Sequence, residues 1–153
     1  MRLFGLPTAR QVDTGLLILR LVAGTIFAAH GGQKLFVFGF AGVTGAFDQM
    51  GAPMPELTGP LNALVEFFAG LALIVGLLTR LAAVGLAIDM LGAILIVHLP
   101  NGFFAPKGVE FVLLLLAAAA TLAVTGPGAF SLDALIDRRR APDTPAARRD
   151  RVA

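Results

Sequence analysis

RLAAVGLAIDMLGAILIVHLPNGFF, residues Arg80–Phe104, opens on a charge and then stays apolar for seventeen positions but for one acid, Asp89. It closes on His98-Leu99-Pro100-Asn101-Gly102, a polar breaker followed by two phenylalanines. As a helix rising about 1.5 Å per residue, Arg80 to His98 covers about 27 Å, close to the hydrocarbon thickness of a bilayer. The stretch therefore reads as a membrane crossing, and the other apolar segments arrange themselves around it.

Upstream, Leu61–Leu78 is a second apolar segment with Glu66 as its single charge and Pro60 placed for a first helical turn. Thr79-Arg80 leaves almost no connection between the two segments. A single helix from Leu61 to His98 would rise about 57 Å, too long for one crossing. The two segments are therefore expected to fold as a tight antiparallel hairpin with Arg80 at its tip. Thr14 precedes another apolar run, and the first crossing is placed at Gly15–Val37. Its basic start and small residues resemble a secretory signal, but Arg20 interrupts the apolar centre. From Phe36 to Leu57 glycines and prolines break the pattern, with a short helix expected at Gly45–Met50. The last crossing is Val109–Val124, stopped by Gly126-Pro127-Gly128, and Ser131–Ile136 is expected to form a short surface helix.

Composition agrees. Of 153 residues, 57% are hydrophobic and only 14% charged, where a soluble domain carries about 25% charge. The mean hydropathy is +0.84, and lipid is the natural solvent for that much apolar surface. The expected fold is all-α: a four-transmembrane-helix bundle with antiparallel neighbours and both termini cytosolic. Residues 1–137 form the membrane domain, and residues 138–153 a basic, disordered cytosolic tail. The orientation follows from charge. Arg2, Arg10, Arg80 and the Arg-rich tail (Arg138–Arg140, Arg148, Arg149, Arg151) fall on one side, while the other connections carry only Lys34 and Lys107. No module for nucleic acid is visible. There is no cysteine, which excludes disulfides, thiol redox chemistry and a cysteine nucleophile within the chain.

Ionisable groups inside a membrane face protein partners or a cavity. Arg20 and Asp89 fall at comparable depth, about 10 Å and 14 Å in from the cytosolic ends of their helices, and are expected to form a structural charge pair. A second set lies toward the opposite face. His30, Gln33 and Lys34 share one side of the first helix by their spacing. Glu66 sits less than two turns into the second helix, His98 closes the third, Asn101 follows the bend, and Glu110 opens the fourth. This outer polar layer is the candidate binding site, and a quinone head group in an apolar channel is its favoured ligand. The two histidines with Glu66 and Glu110 offer metal donors without a ligand motif, and haem lacks a placed axial ligand. No metal is assigned. Phosphate-loop, dinucleotide, hydrolase-elbow and zinc-protease motifs are absent.

The segments Gly15–Phe36, Gly51–Leu57 (GAPMPEL), Val65–Ala83, Ile88–Phe104 and Thr125–Asp133 (TGPGAFSLD), taken in order, resemble the DoxX family of small bacterial membrane proteins. The resemblance covers nearly the whole chain outside the first residues and the tail. It implies a four-helix multi-pass protein of the bacterial inner membrane, and characteristic positions at Arg20, His30, Lys34, Glu66, Arg80, His98, Asn101 and Glu110. Relatives are linked to a terminal quinol oxidase, to thiosulfate:quinone oxidoreduction and to oxidative stress. The family pattern favours a neutral residue such as Asn where this chain has Asp89. The function implied is a membrane subunit or accessory protein of a quinone-linked oxidoreductase or oxidative-stress redox system. Its partners would be membrane lipid, an oxidoreductase and further copies of the chain. A small-solute transporter and a non-catalytic scaffold are the alternatives.

Overall fold

A computed structural model describes residues 5–140, which form six α-helices and no strand. Arg2 and the tail beyond Arg140 lie outside the described residues. Helix α1 (Ala9–Gly32) starts earlier than its apolar run. Thr8 and Gln11 form a capping box: the Gln11 N–H donates to Thr8 Oγ1 over 3.3 Å, and the Thr8 N–H donates to Gln11 Oε1 over 2.8 Å. This polar cap adds helix ahead of the membrane segment, a contribution hydropathy does not register.

At its far end α1 passes into a π-helical turn, Gln33–Phe38, and then α2 (Gly39–Gln49). Unbroken, Ala9–Gln49 would rise about 60 Å, twice the hydrocarbon layer. Gly39 breaks it, with φ +66°, a backbone region that costs glycine little. Helix α2 is longer than the short helix expected at Gly45–Met50 and packs back against α3.

Helix α3 (Pro55–Val75) also starts early, with Pro55 in its first turn. Pro60 therefore sits inside the helix rather than opening it. Only one backbone N–H is lost there, and Glu66 lies deeper in its helix than expected, eleven residues from the Pro55 start. Helices α1 and α3 are in close contact because small residues meet. A Cβ on Gly24 would fall 2.7 Å from the Gly70 carbonyl oxygen, and a Cβ on Gly70 would fall 2.5 Å from the Ala28 nitrogen.

The expected reversal lies at Gly76-Leu77-Leu78, with φ +70° at Gly76 and +49° at Leu78. Helix α4 (Thr79–Ala93) follows and continues through a π turn (Ile94–His98) and a 3₁₀ turn (Leu99–Asn101). Helices α5 (Glu110–Thr125) and α6 (Leu132–Arg140) complete the chain. Arg138–Arg140 are thus helical, three residues past the boundary expected at 137. Three helices are long and apolar enough to cross a membrane: Ala9–Gln49, Pro55–Val75 and Thr79–Asn101. Glu110–Thr125 is apolar but shorter. The core is a seam of Ala23, Phe27, Leu73, Ala83, Leu86, Met90, Leu115, Ala119 and Leu122, contributed by α1, α3, α4 and α5. Large apolar residues such as Ile88, Leu114 and Val124 face outward, as a lipid solvent allows.

Candidate functional site

The expected Arg20–Asp89 pair is not formed. Arg20 is 1% exposed, and its Nη2 donates to the Phe130 carbonyl over 2.6 Å. The carboxylate acting on its charge is Asp133. Asp133 also closes the α3–α4 turn. Its Oδ1 accepts from the Leu78 N–H (2.8 Å) and its Oδ2 from the Thr79 N–H (2.9 Å), while its own N–H donates to Gly76 O (2.9 Å). Asp13 accepts from the Ala129 N–H over 2.8 Å. The TGPGAFSLD segment is therefore a latch across one end of the bundle. Arg20 and Asp89 stand at similar depth in their helices, but the Phe130 carbonyl and Asp133 reach Arg20 from the segment that follows α5.

Asp89 belongs to a different cluster. Lys34 Nζ donates to Glu66 Oε2 (2.6 Å) and to Asn62 Oδ1 (2.5 Å), and Asn62 Nδ2 donates to Asp89 Oδ1. The quartet draws on the π turn after α1, on α3 and on α4. The Lys34 and Glu66 side chains are 23% and 6% exposed. Glu66 is nine residues, about 14 Å, from the Val75 end of α3, and Asp89 is ten residues, about 15 Å, from the Thr79 start of α4. Both carboxylates therefore stand at one depth, well inside the apolar layer. Asn62 and Glu66 are spaced i, i+4 on one face of α3. That spacing was the available signal for Asn62, which the sequence reading did not use.

A cavity of about 630 Å³ adjoins this quartet. Lys34, Asn62, Glu66 and Asp89 line it, as do His30 and His98, while Phe27, Val65, Met90, Val112 and Leu115 supply apolar wall. Several lining residues, among them Leu61, Ile88 and Phe111, are also exposed on the outer surface. The lining is thus mostly apolar, with the quartet as its polar floor, and Pro53, Thr58 and Pro106 of the neighbouring connections complete it. Such a shape suits a lipophilic molecule with a small polar head.

The other expected members of the layer are placed apart from the floor. Gln33 is exposed. Asn101 Nδ2 donates to the Val97 carbonyl (2.7 Å), capping its own helix end. Glu110 Oε1 accepts from the Ala105 N–H (2.6 Å), and His98 Nδ1 lies 2.7 Å from Lys107 O. These last contacts shape the loop between α4 and α5. Helix α5 thus brings apolar wall to the cavity rather than a charge. No three His, Asp or Glu side chains among the described residues are gathered as a metal would require, and His30, His98, Glu66 and Glu110 are not such a group. Both π turns, Gln33–Phe38 and Ile94–His98, contribute a cavity-lining side chain, Lys34 and His98. An extra residue in a helical turn re-aims the side chains around it, and π turns recur at functional sites for that reason.

The sequence profile of the DoxX family matches residues 15–99. A second profile, described as TQO small subunit DoxD, matches residues 60–144. A membrane protein of Mycobacterium tuberculosis is 34% identical over 135 residues, covering 81% of this chain and 82% of its own. A Bacillus subtilis protein named as a candidate oxidoreductase, CatD, is 32% identical over 83% of this chain and 90% of its own. The Escherichia coli inner membrane protein YqjF is 33% identical over 83% of this chain and 95% of its own. No solved structure matches the chain significantly.

Proposed function

The chain belongs to the DoxX family and is a multi-pass protein of the bacterial inner membrane; on that premise we propose that it is the membrane subunit of a quinone-linked redox system and holds a quinone in the cavity above Lys34, Asn62, Glu66 and Asp89. The observation that carries this reading is the cavity itself: a largely apolar lining around one polar floor, the quartet of Lys34, Asn62, Glu66 and Asp89. A prenylated or alkylated head group would partition into that lining with its tail left in lipid.

The residues fit such a head group. Its ring would lie against Phe27, Val65 and Leu115, with the quartet at its polar edge. A quinone supplies two-electron, two-proton chemistry when bound. The chain's own contribution is to bind, orient and exclude bulk water. Having no cysteine, it brings no thiol, and an oxidoreductase partner would exchange the electrons. That association is also the reading to which the CatD and DoxD names point. Residues His30 and His98 at the cavity wall would complete the site. Four crossings with both termini cytosolic remain part of the proposal, with Glu110–Thr125, about 24 Å long, as the fourth.

The test is twofold and uses the full chain in lipid nanodiscs and in native membranes. Decyl-ubiquinone or a short-chain menaquinone should bind saturably, and Glu66→Gln, which keeps the shape but removes the carboxylate partner of Lys34, should weaken binding at least about tenfold. Affinity purification from native membranes should bring down an oxidoreductase. Failure of saturable binding removes the quinone site. Absence of any redox enzyme from the purified complex removes the subunit assignment.

A further inference from the structure

The quartet sets two carboxyl groups, Glu66 and Asp89, beside one cation, Lys34, inside the apolar layer. With both acids ionised it would carry a net negative charge there, and an uncompensated charge away from water is expensive. The hydrogen bonds point the same way. Lys34 Nζ donates to Glu66 Oε2 and to Asn62 Oδ1, and Asn62 Nδ2 donates to Asp89 Oδ1. Asp89 Oδ2 has no surface open to solvent and, as an ionised oxygen, no donor. Yet Asp89 stands in hydrogen-bonding contact with the Glu66 carboxyl group. Ionised carboxylates only accept, so that contact needs a proton between the two groups.

We propose that Glu66 and Asp89 share one proton and form an exchangeable proton-binding site at the floor of the cavity. Two carboxyl groups in contact do not both ionise, and the proton that remains belongs to the pair. The Lys34 ammonium holds Glu66 as the anion, which leaves the proton on Asp89 Oδ2, donating to Glu66. The cluster is then neutral: one ammonium, one carboxylate and one carboxylic acid, bridged by Asn62. Because Oδ2 is enclosed, the proton meets the cavity only through Glu66, whose side chain lines it and is 6% exposed. The other titratable groups nearby are engaged elsewhere or turned outward. His30 of α1 is exposed, His98 Nδ1 lies against the Lys107 carbonyl, and Glu110 of α5 accepts from the Ala105 N–H in the loop. Helix α5 and the α2–α3 region face the cavity with apolar groups such as Val112, Leu115, Phe47 and Met50. The proton site stands without a quinone in the cavity. With one there, Glu66 is the chain's route for giving a proton to the head group or taking one from it.

The experiment is infrared spectroscopy of the full-length protein without ligand, in an ester-free maltoside detergent so that lipid ester carbonyls do not overlap. Ordinary carboxyl groups are ionised at neutral pH. A carbonyl stretch of a protonated carboxylic acid, moving to lower frequency in D2O, therefore reports the bound proton and its exchange. The expected result is that band at the intensity of a single carboxyl group per chain. Asp89→Asn keeps both hydrogen bonds, since an amide accepts and donates as the protonated acid does, but it should abolish the band. Glu66→Gln should abolish it equally, because Asp89 is then the lone acid beside Lys34 and ionises. An isolated buried acid would keep its proton through that second change. Should a variant fail to fold, the unaltered protein decides: made with aspartate carrying heavy carbon in its side-chain carboxyl, it should show the band displaced. Absence of the band, survival of the band in either variant, or a band that labelled aspartate leaves in place would overturn the proposal. Saturable quinone binding without the band strikes the proton site alone, and the band without quinone binding strikes the quinone reading alone.

Discussion

Lys34 and Glu66 carry the largest single interaction that the site owes to one pair of side chains. Their 2.6 Å contact is largely removed from water, and in an apolar layer each charge is tolerable only because the other is present. Removing one partner should therefore hurt more than removing both. Lys34→Met leaves the Glu66 carboxylate with no cation and should lower stability by about 3 kcal/mol. The double change Lys34→Met with Glu66→Leu should recover more than half of that loss. Thermal unfolding of the four proteins of this cycle in one detergent measures it, and additive losses would show that the pair does not interact. The same logic sets apart Glu110, whose partner is a backbone N–H at an exposed loop. Glu110→Gln can keep that bond and should change stability by less than about 0.5 kcal/mol.

At the scale of the element, the α3–α4 turn depends on a residue more than fifty positions away. Helix α4 begins after Leu78 with no side-chain cap of its own. Asp133 supplies one from α6 by accepting from both Leu78 and Thr79 N–H groups, the same satisfaction of orphan donors that an N-cap residue gives. Asp133→Ala should cost about 1–2 kcal/mol and should raise hydrogen exchange at Leu78 and Thr79 before it affects α5. It should leave ligand affinity nearly unchanged, because Glu66 and Asp89 stand about 14–15 Å along their helices from the turn that Asp133 caps. A second element-scale prediction concerns the α1–α3 contact. Gly70→Val pushes a branched side chain into the Ala28 backbone and should destabilise the bundle by about 3 kcal/mol or abolish its folding. Gly92→Ala, with open space around its Cβ, should be tolerated in the same melting assay.

These elements also show what the sequence made legible. Hydropathy placed the three long apolar helices because burial in lipid is a property of runs, and runs survive an error of a few residues. The reversal near Arg80 was legible for the same reason, as a limit on length. Helix starts were not. Thr8, Pro55 and their first turns are stabilised by local capping and backbone geometry, not by apolar content, so α1 and α3 begin six residues ahead of their hydrophobic stretches. That shift alone puts Glu66 three turns inside its helix instead of less than two. The site was half legible: Lys34, Glu66, His30 and His98 come together at the cavity, whereas Asn62 and Asp89 had to be placed by three dimensions. The Arg20–Asp89 pairing failed because depth fixes one coordinate and a contact needs three.

For the molecule as a whole, what matters is which way the bundle faces. The latch of Asp13, Arg20 and Asp133 lies at the end with the α3–α4 turn, whose exposed charge is Arg80. The cavity opens nearer the end with Lys107 and the α4–α5 loop. Basic residues are retained on the cytosolic side during insertion, and Arg10, Arg80 and Arg138–Arg140 all belong to the latch end. The latch end should therefore be cytosolic, and the ligand should enter from the half of the bilayer facing away from the cytosol or from its midplane. The absence of cysteine makes this directly measurable, because any introduced thiol is the only one in the chain. Arg80→Cys and Lys107→Cys both alter exposed positions and should be tolerated. In intact spheroplasts, a membrane-impermeant maleimide should label the Lys107→Cys protein and spare the Arg80→Cys protein. After disruption of the membrane both should react. The reverse pattern would invert the bundle and place the cavity toward the cytosol. Labelling of both sites before disruption would mean that the two loops share one side, which the single crossing assigned to Thr79–Asn101 forbids.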